Sequence, residues 1–158
     1  MKTIFLLLII YQFKHLLADY FLQGKYMLGK FKGGTAWIMP LLAHVGVHGA
    51  FTLVIASAFH CHYAPWLALL DMTLHFAMDR IKASPSMLGR FSALSKNEYP
   101  REARAAEYVG DSPDIVNRRM DAQSKLKSNK WFWICLGIDQ MVHHLTHYLV
   151  IYLILVTT

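Results

Sequence analysis

The chain has 158 residues, of which 55 % are hydrophobic and 16 % are charged, with a formal net charge of +6. This length suits one domain over residues 1–158, and the charged fraction lies below the roughly 25 % that is typical of soluble domains. The positive charge does not indicate a nucleic-acid partner, because the basic residues flank apolar runs, where they set membrane topology or meet anionic lipid.

Four apolar segments are long enough to cross a bilayer, which requires about 20 helical residues. They are residues 3–23, 35–59, 65–82 and 131–156. The first segment has the hydrophobicity of a signal peptide, but no small-residue cleavage site follows it, so we interpret it as a span. The third segment is the weakest, because it is short and contains several ionisable residues. The sequence therefore predicts an all-α, polytopic membrane bundle of four transmembrane helices.

Most lysines and arginines fall into two loops, residues 23–34 and about 83–130. Four spans place both loops on one side of the membrane, which the positive-inside rule makes cytoplasmic, with both termini outside. The second of these loops is too long to lack structure of its own. Pro100 and Pro113 are each typical of a helix start, so we expect short helices over Arg101–Val109 and Asp114–Lys127. The cysteines, Cys61 and Cys135, are too few for a disulfide framework.

Every predicted span contains ionisable residues, which are costly in a bilayer and usually face the interior of a bundle, where they serve a function. Most of them are four residues apart, so that both side chains of a pair lie on one helical face. Helical rise places one residue or pair from each span in a single layer, about 5–20 Å from the cytoplasmic side. The layer contains His15, Asp19, His44, His48, His75, Asp79, Asp139 and His143.

Two histidines or aspartates one helical turn apart can hold the same metal ion. The mixed ligand set favours zinc, with manganese or iron as alternatives, over a thiolate-bound metal, and it leaves open whether one ion or two are bound. Gln23 and Gln140 are candidates for orienting the ligands. A single histidine in a span more often makes an interhelical hydrogen bond, so only the whole set supports a metal. Asp71, His144 and His147 fall at the margin of the layer.

Four motifs carry these residues: 15–23 (HLLADYFLQ), 44–49 (HVGVHG), 75–82 (HFAMDRIK) and 139–143 (DQMVH). In this order they resemble the domain-of-unknown-function family numbered 3307, which consists of small membrane proteins of bacteria and their phages. The resemblance covers all four spans and implies a location in the bacterial inner membrane. It also implies that Lys82 matches a motif position of the family, whereas Asp71 and His147 do not. The family has no established activity to transfer.

The leading functional hypothesis is a membrane-embedded, metal-dependent hydrolase that acts on a lipid or a phosphate-containing substrate. A bound metal lowers the pKa of its water ligand, and Asp19 or Asp79 would act as the general base. Lys82 and arginines of the loop would hold a phosphate. The main alternative is a metal-ion or proton transporter, although residues 49–56, which follow His48, are nearly apolar. A haem protein or a structural accessory subunit is a further alternative.

Overall fold

The computed structural model describes residues 1–31, 35–83, 128 and 130–158, and this part of the chain is helical throughout, without strands. It contains four α-helices, which confirms the predicted class. They are α1 (Lys2–Leu16), α2 (Ile38–Ala58), α3 (Ala64–Ala83) and α4 (Lys130–Thr157). A π-helical turn, Leu17–Phe21, extends α1, and a 3-10 turn, Met27–Phe31, precedes α2. The two short helices predicted within 83–130 lie outside the described residues.

Three segments are long and apolar enough to cross a membrane: Lys2–Phe21, Ile38–Ala58 and Lys130–Thr157. Helix α3 has 20 residues but is not among them, because it contains two aspartates and two basic residues. The structure therefore confirms the third predicted segment as a helix. Its passage through the membrane stays a prediction.

The chain divides into two compact units, one formed by residues 1–83 and 141–158 and the other by residues 84–140. The first unit contains α1, α2, α3 and the C-terminal part of α4. Of the second unit, the structure describes residues 128 and 130–140. The prediction of one domain over 1–158 stays a prediction.

A short connection joins α2 to α3 and turns the chain back on itself. His60 has a φ of 57°, the N–H of Cys61 donates to Ala56 O at 3.0 Å, and the N–H of His60 donates to Ser57 O at 2.9 Å. This pair of hydrogen bonds is the Schellman motif, in which a residue in the left-handed region ends a helix. Pro65 then lies in the first turn of α3, where a missing N–H costs nothing. The motif sets α2 and α3 side by side.

The first unit has apolar side chains both inside and outside. One end of its interior is an apolar core, formed by Leu7, Tyr11, Ala56, Cys61, Ala64, Leu67, Val150, Ile151 and Ile154. On the outside, large apolar side chains are exposed, and Phe5 is 71 % and Phe21 72 % exposed. Lys14, Lys30, Asp71, Asp79 and six histidines are instead buried. An apolar exterior of this extent marks a surface that meets lipid or another protein.

Gly49 allows α2 to approach α3 closely, because a Cβ atom at this position would overlap the side chain of Met72. We expect Gly49→Leu to destabilise the protein by about 1–3 kcal/mol, the usual cost of overpacking. Gly46 provides the matched control, because a Cβ there meets no described atom within 4 Å. Thermal unfolding in detergent measures both variants. Equal stability of Gly49→Leu and Gly46→Leu would contradict the close packing of α2 on α3.

Candidate metal centre

The π-helical turn at the end of α1 positions Asp19. Leu22 N–H donates to Leu17 O at 2.8 Å, which is the wide hydrogen bond of this turn. Asp19 Oδ1 lies 2.8 Å from His48 Nε2 and 3.5 Å from His44 Nε2. Its Oδ2 faces the other way and lies 3.3 Å from His15 Nδ1. Isolated π-turns are frequent at functional sites, because they redirect side chains that a regular helix would place elsewhere.

Asp19, His44 and His48 form a first candidate metal site, the Asp19 group. Each offers a ligand atom, and these atoms lie within 4.8 Å of one another. His44 and His48 are one turn apart on α2, as the sequence predicts, and both are buried. Their Nδ1 atoms have no hydrogen-bond partner among the described residues. One carboxylate and two imidazoles are a common ligand set of catalytic zinc.

His15, His75 and His147 form a second candidate site, the His15 group, with ligand atoms also within 4.8 Å. His75 Nδ1 lies 3.0 Å from the backbone O of Asp71 and 3.1 Å from its Oδ1. Both oxygens are acceptors, so Nδ1 carries a proton, and in the neutral imidazole the lone pair is then on Nε2. Nε2 is buried and has no hydrogen-bond partner within the described part of the chain. This is the tautomer of a histidine that binds a metal while its other nitrogen is held by oxygen.

The two groups adjoin. The ring centroids of His48 and His75 are 4.1 Å apart, and those of His15 and His48 are 6.3 Å apart. His143 of α4 is buried beside both groups, with its ring 4.4 Å from that of His75 and 5.5 Å from that of His15. The imidazoles of four helices thus form one continuous cluster.

Lys30 folds back from the 3-10 turn into the interior. Its Nζ donates to Asp79 Oδ2 at 2.9 Å and to Gln23 Oε1 at 3.0 Å, and Asp79 Oδ2 also lies 3.1 Å from His44 Nε2. Lys30 and Asp79 are both buried. The sequence predicts Lys30 only as one of the basic residues of the first loop, and this contact with Asp79 was not predicted. Gln23 contacts Lys30 in this structure.

Lys14 is buried at the opposite end of the cluster. Its Nζ donates to Asp71 Oδ2 at 2.5 Å and lies 3.3 Å from His147 Nε2. Thr52 donates to the same Asp71 oxygen at 2.6 Å, and the ring of Tyr11 lies 5.3 Å from that of His147. Lys14 and Thr52 were not predicted as members of the cluster. Asp71 and His147 were predicted to lie at the margin of the polar layer. Two signals were present: Lys14 is a charge within an apolar run, and Thr52 continues the spacing of His44 and His48.

The remaining predicted site residues lie on α3 and α4. Asp139 is buried, and Gln140 Nε2 donates to its Oδ2 at 3.2 Å. Both belong to the second unit. Lys82 is half-buried in the last turn of α3. His144 is turned toward the exposed side, where its Nδ1 lies 3.3 Å from Gln12 Nε2.

Comparisons with protein-family models, with curated proteins and with solved structures find no match to this chain. The resemblance to the family numbered 3307 therefore stays a prediction. Functional conclusions rest on the geometry of the two groups and on the charges around them.

Proposed function

We propose that the protein spans a membrane, binds a divalent metal ion at the Asp19 group, and uses it to hydrolyse a lipid or a phosphate-containing substrate. The supporting observation is the charge balance around the cluster. Of the aspartates on α1–α3, Asp71 pairs with Lys14 and Asp79 pairs with Lys30. Within the described part of the chain, Asp19 forms its ion pairs with histidines.

A carboxylate whose ion-pair partners are imidazoles is less well neutralised in an apolar interior than one that pairs with a lysine, as Asp71 and Asp79 do. A divalent cation between Asp19, His44 and His48 supplies the missing positive charge. Zinc is the metal that best suits this set, with manganese and iron as alternatives. Three protein ligands also leave a coordination position for water, as catalytic zinc sites do and structural sites do not.

Such an ion would activate its water ligand and polarise a phosphoryl or carbonyl oxygen. Asp19, His44 and His48 would hold it. Asp79, which the sequence offers as a general base, contacts both Lys30 and His44 Nε2 through one oxygen, so it would lie beside the ion with its charge neutralised by Lys30. His15, whose Nδ1 lies 3.3 Å from Asp19 Oδ2, would hold this carboxylate in place. Lys82 would bind phosphate at the end of α3.

We further propose that α3 is the fourth span and that the protein lies in a bacterial inner membrane, with the basic loops cytoplasmic. Three apolar helices and the exposed aromatic side chains of α1 support a membrane location. The aspartates of α3, Asp71 and Asp79, are buried against lysines and histidines. Their burial removes them from the lipid-facing side and so lowers the cost of placing α3 in a bilayer.

A transporter would need polar residues to continue toward the other end of the unit. Along α2 the polar series His44, His48, Thr52 is followed one turn later by Ala56, and along α3 Asp71 is preceded by Leu67. Both apolar residues belong to the buried core, which also contains Ile151, one turn beyond His147 on α4. The polar cluster therefore ends against an apolar core, an arrangement that favours a closed binding site over a path.

The test is metal content combined with hydrolysis. We expect full-length protein purified in detergent to contain a divalent metal by mass spectrometry, and His44→Ala and His48→Ala each to lose it. His62→Ala is the matched control, because His62 is exposed in the α2–α3 connection. The same samples are assayed with phospholipid vesicles for hydrolytic products. Full metal content in both α2 variants would contradict the site, and metal flux in proteoliposomes without hydrolysis would favour the transporter.

A further inference from the structure

We infer that the ammonium group of Lys14 takes the place of a second metal ion, so that the cluster binds one divalent ion, at the Asp19 group, and none at the His15 group. This inference rests on the proposed function and specifies the number of ions. The sequence leaves that number open, and two adjoining groups of three ligands would by themselves suggest two ions.

The surroundings of Lys14 Nζ are those of a bound cation. Asp71 Oδ2 is 2.5 Å away and His147 Nε2 3.3 Å away, and the other oxygen of Asp71 lies 3.1 Å from His75 Nδ1. A carboxylate oxygen and an imidazole nitrogen, here those of Asp71 and His147, are ligands that a divalent metal would use. The lysine thus reaches, on a flexible stem, into the place where an ion would meet these ligands.

The position of Lys14 also removes a ligand from the His15 group. His147 Nε2 accepts a hydrogen bond from the ammonium, so its lone pair is not available to a metal. The His15 group then offers two ligand nitrogens, one from His15 and one from His75. Metal sites of this class use at least three protein ligands. A fixed positive charge beside them further opposes a second cation, because like charges repel strongly where water is excluded.

This arrangement has a consequence for chemistry. In two-metal hydrolases the second ion stabilises charge on an oxygen of the reacting group. A fixed ammonium next to a one-metal site can provide part of that stabilisation without a second ion, as preorganised cations do in other active sites. Asp71 and Thr52 hold the ammonium in place: Asp71 Oδ2 accepts from both Lys14 and Thr52.

The test is the number of zinc ions bound by full-length protein in detergent. We expect one ion in the wild type and two in Lys14→Met, because the substitution leaves Asp71 without its cation next to His15, His75 and His147. Lys2→Met, an exposed lysine on the same helix, is the matched control and should bind one ion. Lys14→Arg, which keeps the charge, should also bind one.

Two ions in the wild type would overturn this inference and leave the proposed function intact, whereas no ion would overturn both. One ion in a folded Lys14→Met variant would also overturn the inference. If that variant does not fold, electron paramagnetic resonance of the wild type loaded with Mn²⁺ decides the matter. A spectrum of isolated Mn²⁺ supports the inference, and a spin-coupled pair contradicts it.

Discussion

Asp19→Asn is expected to weaken zinc binding by about 100-fold or more, beyond the 10–100-fold loss typical of a residue that only orients a ligand. The substitution keeps the size of the side chain but removes the negative charge that faces His44 and His48. It also removes the contact of Oδ2 with His15. The affinity is measured in detergent by competition with a chelator of known strength.

Asp79→Asn provides the matched control, because it makes the same chemical change at the other carboxylate that contacts His44. Asp79 pairs with Lys30 and touches His44, so its loss should weaken zinc binding by about 10–100-fold, less than the loss of Asp19. A larger effect at Asp79 than at Asp19 would show that the ion lies nearer to α3. Equally small losses of zinc affinity in both variants would contradict the assignment of the metal site to the Asp19 group.

The helical class and the pairs on α2 could be predicted from the sequence because both depend on local periodicity. His44 and His48 are four residues apart, and a regular helix places such residues on one face whatever its neighbours are. The same holds for His75 and Asp79 on α3. Local spacing therefore identified which faces carry the polar residues.

Which side chains contact one another across helices depends on helix packing, and residue spacing within one helix does not determine it. Lys14 and His15 are neighbours about 100° apart on α1, yet both are buried, Lys14 against Asp71 and His15 among other histidines. Asp19 faces α2 from a π-helical turn, and nothing in 15–23 predicts that change of helical period. Lys30 reaches Asp79 only because its turn folds against α2 and α3. These contacts are tertiary, and they separate Asp71 and Asp79, which pair with lysines, from Asp19, which pairs with histidines.

The ion pair between Lys14 and Asp71 predicts the largest change in stability. Asp71→Leu is expected to lower the free energy of unfolding by about 3–5 kcal/mol, because it leaves a buried ammonium without its carboxylate. Thr52→Val removes only one hydrogen bond to the same oxygen, and we expect a loss of about 1.5–3 kcal/mol. Unfolding in mixed detergent micelles, with metal chelated, measures both variants against the wild type.

The double variant Lys14→Met with Asp71→Leu distinguishes the contribution of the ion pair to stability from that of the surrounding cluster. Replacing both members of a buried pair by apolar residues is often neutral or stabilising, so the double variant should be more stable than Asp71→Leu. Lys14→Met alone should be destabilised while metal is chelated and should regain stability when zinc is added, since a second ion would neutralise Asp71. A double variant no more stable than Asp71→Leu would show that the two residues do not act as a pair. Absence of zinc rescue in Lys14→Met would show that Asp71, His75 and His147 cannot hold a cation in place of the lysine.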